Sequence, residues 1–208
     1  MIKIGRMVLG SMQTNCYFIY DEEEKKAIVV DPADAGEQIY EALTRNGFTV
    51  EAILLTHSHG DHIWGVAALK KAAEVKVYAL DKEKDLLEST RLNLSELLGR
   101  PCTVEADVFL TDGQKVSMGG MEFSVIATPG HTCGSCCYYF DGSKILVSGD
   151  TLFYESTGRT DFPTGSAREI VASIKEKLFV LPEDTQVYSG HGDITTIGHE
   201  KKYNPFVQ

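Results

Sequence analysis

Between Thr56 and Gly65 the chain reads THSHGDHIWG, which gathers His57, His59, Asp61 and His62 into one short stretch. Imidazole together with carboxylate is a donor set for zinc and other first-row transition metals rather than for calcium or magnesium, which favour oxygen-only ligation. Histidines on a solvated loop are the bland alternative. Four donors packed this closely behind an apolar run make metal ligation the stronger expectation.

The spacing indicates the backbone that carries them. An apolar run from Ala52 to Leu55 leads in, and a helical stripe of Ile63, Val66, Leu69 and Ala73 follows, with Lys70, Lys71 and Glu74 off it. On a helix, two histidines meet one ion at i, i+4, as in H-E-x-x-H. Spacing of i, i+2 instead puts His57 and His59 on one side of an extended segment at a strand end. Asp61 and His62, adjacent and past Gly60, then aim elsewhere, and a second metal is expected.

Three more donors recur in similar settings. His131 follows an apolar run and a Pro-Gly turn in ATPGHTCGS, Asp150 closes ILVSGD, and His191 closes VYSGH. Each stands at the carboxyl end of an apolar run, where loops from different strands can converge. Of the six histidines, only His199 lies outside this set.

The elements needed to position these donors read as strands followed by helices, twice. Strands are expected near residues 2–9, 15–20 and 27–30. Asp34 with Glu37 three residues on resembles a capping box opening a helix that carries Ile39 and Leu43, and Gly47 is placed to end it. A helix from about His62 and a strand at 76–80 follow. Residues 81–99 are expected to be mostly helical, with Leu86, Leu87, Leu94, Leu97 and Leu98 as apolar surface. Strands at 115–118, 122–127, 136–140 and 144–148 precede a helix opened by Ser166 with Glu169, and a last strand spans 186–189. Two such units point to an α/β fold, a four-layer αββα sandwich of two sheets with helices outside, in a single domain over residues 1–208.

Composition narrows the function. With 208 residues, 43% of them hydrophobic, the chain can bury a sizeable core. A formal net charge of -10 argues against a nucleic-acid partner held through phosphates. The run DEEEKK from Asp21 reads as a solvated hairpin turn. No signal peptide or membrane span is evident, so a cytoplasmic protein without a membrane partner is expected. The five cysteines, Cys16, Cys102, Cys133, Cys136 and Cys137, are odd in number and too sparse for a disulfide scaffold, which fits a reducing compartment. Cys133, Cys136 and Cys137 read as small buried residues of a loop and strand rather than a redox pair.

Taken in order, THSHGDH, GHT at Gly130 to Thr132, GDT at Gly149 to Thr151, and Gly190-His191 resemble the motifs of the metallo-β-lactamase-fold hydrolases, most closely the glyoxalase II-like branch. The resemblance spans essentially the whole chain. It implies that His57, His59 and His131 hold one metal, that Asp61, His62 and His191 hold another, and that Asp150 bridges them. The cofactors would be two divalent ions, zinc first, with iron or manganese compatible with the donors.

The implied activity is metal-dependent hydrolysis of a small-molecule thioester such as S-lactoylglutathione. Two divalent ions sharing a water lower its pKa to about neutrality, which supplies a bridging hydroxide as nucleophile that Asp61 and Asp150 orient. A thiolate leaves with little help from a general acid, because its pKa is near 8.5. Departures from the branch bear on specificity. The helical C-terminal segment of glyoxalase II proper has no counterpart here. Arg159 and Asp161 in GRTDFPTG stand where that family has a glutathione-binding lysine and a tyrosine. Arg159 is a candidate for a substrate carboxylate, in competition with an ion pair to Asp161. The alternatives are a mononuclear-iron persulfide dioxygenase, or another hydrolase of the fold such as a lactonase or nuclease.

Overall fold

Three separate apolar clusters run through the computed structural model, which describes residues 2–208. They arise from strands whose two faces are both buried. In β3 (Lys26–Val30), Ile28 and Val30 point to one cluster and Ala27 and Val29 to another, as a period of two requires.

The first sheet places β1 (Ile2–Leu9), β2 (Thr14–Asp21), β3, β4 (Thr49–Leu54), β5 (Lys76–Leu80) and β6 (Val108–Leu110) in chain order. Its first three strands form an antiparallel meander, and β3 to β6 run parallel. The second sheet begins with β7 (Lys115–Met118), β8 (Met121–Ala127), β9 (Cys136–Phe140) and β10 (Ile145–Gly149). After a small hairpin of β11 (Leu152–Phe153) and β12 (Ser156–Thr157), β13 (Gln186–Ser189) adds in parallel to β10, and β14 (Thr195–Thr196) forms the edge.

The middle cluster joins the two sheets: Tyr17, Ile19, Ile28 and Leu54 of the first meet Phe123, Val125, Tyr138 and Phe140 of the second. Outside the first sheet, Ile39 and Leu43 of α1 (Gly36–Arg45) and Val66 and Leu69 of α3 (Val66–Ala73) cover Val29, Ile53 and Val77. Outside the second, Ile170 of α5 (Ala167–Ser173), followed by Ile174 and Leu178 on a wider π-type coil, covers Cys137, Leu146 and Val187. Three apolar seams between four layers are the expected αββα sandwich. No helix among the described residues is long and apolar enough to cross a membrane.

Local chemistry departs from expectation at several points. Ser166 caps α5 as anticipated, its hydroxyl accepting from the Glu169 N–H. Asp34 does not form the expected capping box with Glu37. It accepts from the Ala35 N–H and pairs with Arg100 at 2.9 Å, and left-handed Ala35 takes the N-cap position. Gly47 follows α1 with φ +80°, and Phe48 N–H closes back on Leu43, so that end is as anticipated.

The helix after the metal motif is broken. A single turn, α2 (Gly60–Ile63), precedes α3 because the Gly65 N–H is drawn to the Pro32 carbonyl. Residues 81–99 are not mostly helical: one 3-10 turn and the short α4 (Lys84–Leu87) give way to turns. Asn93 and Ser95 spend their side chains on the Cys102 backbone, and such local polar bonds compete with a helical ladder. A further helix, α6 (Ile197–Tyr203), was not anticipated, and Glu200 is buried within it.

Candidate metal centre

All seven predicted donors come together at one edge of the sandwich, on loops that leave the carboxyl ends of strands from both sheets. The first sheet contributes the turn after β4. The second contributes the loops after β8, β10 and β13. Bonds between sheets fix the relative placement. Cys136 N–H donates to the Thr56 carbonyl at 2.9 Å, and the Tyr138 hydroxyl donates to the Leu55 carbonyl at 2.7 Å. Asn15 donates to the Ser189 and Gly192 carbonyls, which ties the His191 loop to β2.

Donor atoms of His57, His59 and His131 lie within 4.8 Å of one another, as do those of Asp61, His62 and His191. His59 Nδ1 is 2.8 Å from His131 Nε2, while His191 Nε2 is 3.3 Å from both His62 Nε2 and Asp61 Oδ2. Two ligands each about 2.0–2.1 Å from a tetrahedral zinc stand roughly 3.3 Å apart, so these gaps suit an ion. Asp150 sits between the groups: its Oδ1 is 3.4 Å from His62 Nε2, and its Oδ2 is 3.6 Å from His131 Nε2 and 3.7 Å from His191 Nε2.

The far side of three rings is already committed. His62 Nδ1 donates to Asp31 Oδ2 at 3.0 Å and His131 Nδ1 to the Arg159 carbonyl at 2.7 Å. His57 Nδ1 is 3.1 Å from the Thr56 hydroxyl, which itself donates to Asp31 Oδ2. A proton fixed on Nδ1 directs Nε2 inward; on His62, whose burial is overridden by Asp150 and Asp61 so that it stands well above the usual imidazole range, an ion would have to displace a second proton from Nε2. Six side-chain atoms among the described residues are buried without a hydrogen-bond partner, and three of them, His57 Nε2, His59 Nε2 and Asp150 Oδ1, belong to the candidate ligands, although Asp150 Oδ1 does face His62 Nε2 at 3.4 Å. Buried polar atoms are seldom left so, and a cation would satisfy His57 Nε2 and Asp150 Oδ1.

Electrostatics set the protonation of the donors. Burial, reinforced by the neighbouring histidines, pushes His57 and His59 well below the usual imidazole range, so both are neutral and available as donors. Burial also opposes ionisation of Asp150, but the histidines, His62 foremost, override it and hold the carboxyl ionised. Asp61 is depressed in the same way and accepts from the Thr14 hydroxyl at 3.1 Å. Close packing has a cost in sequence: a Cβ on Gly190 would come within 2.1 Å of Asp150 Oδ1, so only glycine fits before His191.

Residues 9–191 match the profile of the Metallo-beta-lactamase superfamily. The chain belongs to this family. It is 36% identical to a probable metallo-hydrolase, YqgX of Bacillus subtilis, over 99% of this chain and 98% of that one. It is 35% identical to the hydroxyacylglutathione hydrolase GloC of Haemophilus influenzae, over 95% and 94%. Among solved structures it resembles the B3 metallo-beta-lactamase BLEG-1, with 43% identity, a TM-score of 0.95 and coverage of 99% of this chain and 100% of that one. TTHA1623 in a di-iron-bound form is 33% identical, with a TM-score of 0.87 and coverage of 97% and 99%.

Arg159 lines the cleft, with Nε and Nη2 each 2.7 Å from an Asp161 oxygen and its guanidinium 3.9 Å from the centre of the Phe162 ring. The expected ion pair therefore forms. It occupies two of the five N–H donors and leaves the rest for a ligand. None of the cysteines lines the cleft, and Cys136 and Cys137 are buried in β9. Sequence reasoning missed Asp31, Thr56, Thr14 and the Arg159 carbonyl. Asp31 alone left a signal, since it too closes an apolar strand, in AIVVD.

Proposed function

We propose that this metallo-hydrolase of the beta-lactamase fold cleaves small-molecule thioesters, with two divalent ions in the cleft described above. The observation that carries the proposal is the position of Asp150 between two three-donor groups whose imidazoles are already oriented from behind. His57, His59 and His131 would hold one ion, Asp61, His62 and His191 the other, and Asp150 both. Zinc suits the donors, and the likeness to a di-iron structure supports iron equally. When bound, such a pair lowers the pKa of water toward neutrality and polarises a carbonyl oxygen.

The chain's own groups complete the chemistry. Asp61 and Asp150 are held ionised, so each can accept and orient a proton of the attacking water. The cleft, about 430 Å³, leaves His191 part-exposed at its mouth, which gives substrate a way in. Among the described residues that line it, every titratable group is a candidate ligand or Arg159. An amine leaving group would need an uncommitted acid, whereas a thiolate departs unprotonated. The likeness to a hydroxyacylglutathione hydrolase supports the same substrate class.

The test is direct. Protein loaded with zinc or with iron is assayed for metal content and for hydrolysis of thioesters, β-lactams and phosphodiesters in parallel. Thioester turnover that tracks two bound ions supports the proposal; two bound ions without it refute the proposal.

A further inference from the structure

One wall of the cleft is built from leucine. Leu94, Leu97 and Leu98 line it, together with Met12, Phe153 and Phe162. Leu97 is 71% exposed and Met12 47%, so large apolar side chains stand open to solvent next to the donors. Apolar surface held beside a polar centre is what a binding cleft requires.

The wall is rigidly mounted. Gly60 N–H, one residue before Asp61, donates to the Asn93 carbonyl at 2.8 Å, and a Cβ on Gly60 would lie 2.9 Å from Ser95 Cα. Asn93 and Ser95 are wholly buried and joined to the Cys102 backbone by three bonds of 2.8 to 3.0 Å. Between them Leu94 is held at φ +60°, a left-handed conformation that L side chains disfavour. Strain of this kind persists where the surroundings fix a side chain's direction. The leucines are thus displayed to the cleft in advance of any ligand.

Charge on the lining is distributed to match. Its one arginine, Arg159, spends two of its five N–H donors on Asp161, and its acids are the candidate ligands Asp61 and Asp150. Among the described residues that line the cleft, Arg159 is the one cationic side chain outside the candidate ligands.

We propose that Leu94, Leu97 and Leu98 bind the acyl half of the substrate and select an uncharged, apolar acyl group larger than acetyl. The proposal rests on the thioester activity above.

The experiment uses the zinc-loaded full chain and acetyl, butyryl, hexanoyl and succinyl thioesters of one small neutral thiol. The expected result is a kcat/KM that climbs about threefold per added methylene, near the value for burying one, with succinyl at least about tenfold below butyryl. In a Leu97→Ser/Leu98→Ser double variant the climb should flatten, and Leu97→Met should preserve it. Calorimetry with acetate and hexanoate, the acyl products, reads the same wall without turnover, hexanoate binding at least about tenfold tighter to the wild type alone.

A flat acyl series with active enzyme overturns the wall's role while thioester hydrolysis stands. A climb that survives in the double variant overturns it too. Tight hexanoate binding with no thioester turnover refutes the hydrolytic proposal and the acyl assignment together. A dimer by sedimentation, with flat series in both assays, would assign the leucines to contact between copies instead.

Discussion

Asp31 Oδ2 lies 3.0 Å from Nδ1 of His62, and both side chains are buried. The same carboxylate accepts from the Thr56 N–H and hydroxyl, and through Thr56 it reaches His57. One acid behind the site therefore orients an imidazole in each donor group. Asp31→Asn should lower metal affinity about 10–100-fold, the usual effect of losing such a partner. Competition with a calibrated chelator measures it, and a circular dichroism melt confirms that the variant is folded. Unchanged affinity would contradict the orienting role.

Asp150→Ala should lower turnover by orders of magnitude and reduce the metal content toward one ion or fewer. Its carboxylate oxygens stand within 3.7 Å of imidazoles from both groups, so no neighbouring side chain replaces it. Full activity with two ions bound would show that it does not bridge.

Removing metal should lower the melting temperature. Stripped of ions, the protein keeps His57 Nε2 buried without a hydrogen-bond partner and crowds Asp61 and Asp150 together, while the unfolded chain exposes them to water. Zinc at a hundred times its dissociation constant adds about 2.7 kcal/mol to the folded state, visible by calorimetry as a melting point that rises with zinc concentration. A melting point indifferent to zinc would be evidence against the site.

Arg159→Ala should raise KM for thioesters with an acidic thiol half more than for neutral ones, and leave kcat nearly unchanged. The split is expected because the guanidinium has spare donors at the cleft, whereas His131 is held by the residue's backbone carbonyl, which the substitution retains. Equal changes for both substrates would remove Arg159 from substrate binding and leave it the ion pair with Asp161.

Glu83 gives a prediction in pH. Burial pushes its carboxyl up to about 7, although hydroxyls of Ser58 and Thr132 and the Gly134 N–H favour the ionised form. Its folded value lies above the unfolded one, so the stability it contributes is full below about pH 4.5 and is lost as pH rises through 7. The difference is about 3 kcal/mol. Urea unfolding of metal-free wild type and Glu83→Gln at several pH values should show wild type losing about that much relative to the variant between pH 5 and 8. Parallel curves would show that Glu83 does not titrate there.

The donors were legible because each polar residue interrupts an apolar strand at its carboxyl end, a pattern composition alone rarely produces. The four layers followed from the order of strands and helices. Asp31 carries the same mark, yet a lone Asp before Pro32 reads as a turn, and its role appears only when β3 and β4 lie side by side. Residues 81–99 were misread for the opposite reason. Their leucines look like a helical face, but they serve a cleft, and buried Asn93 and Ser95 reveal this only through Cys102. Helix α6 opens with Thr196 capping the His199 N–H, without the acidic partner that marks a capping box.

The group of His57, His59 and His131 and the group of Asp61, His62 and His191 each draw on both halves of the sandwich, His131 completing one and His191 the other. An ion seated there is a rivet driven through two plates. If two ions bind as proposed, holding the full pair would require both plates to be docked. Loosening of either plate would release the ions before the chain as a whole comes apart.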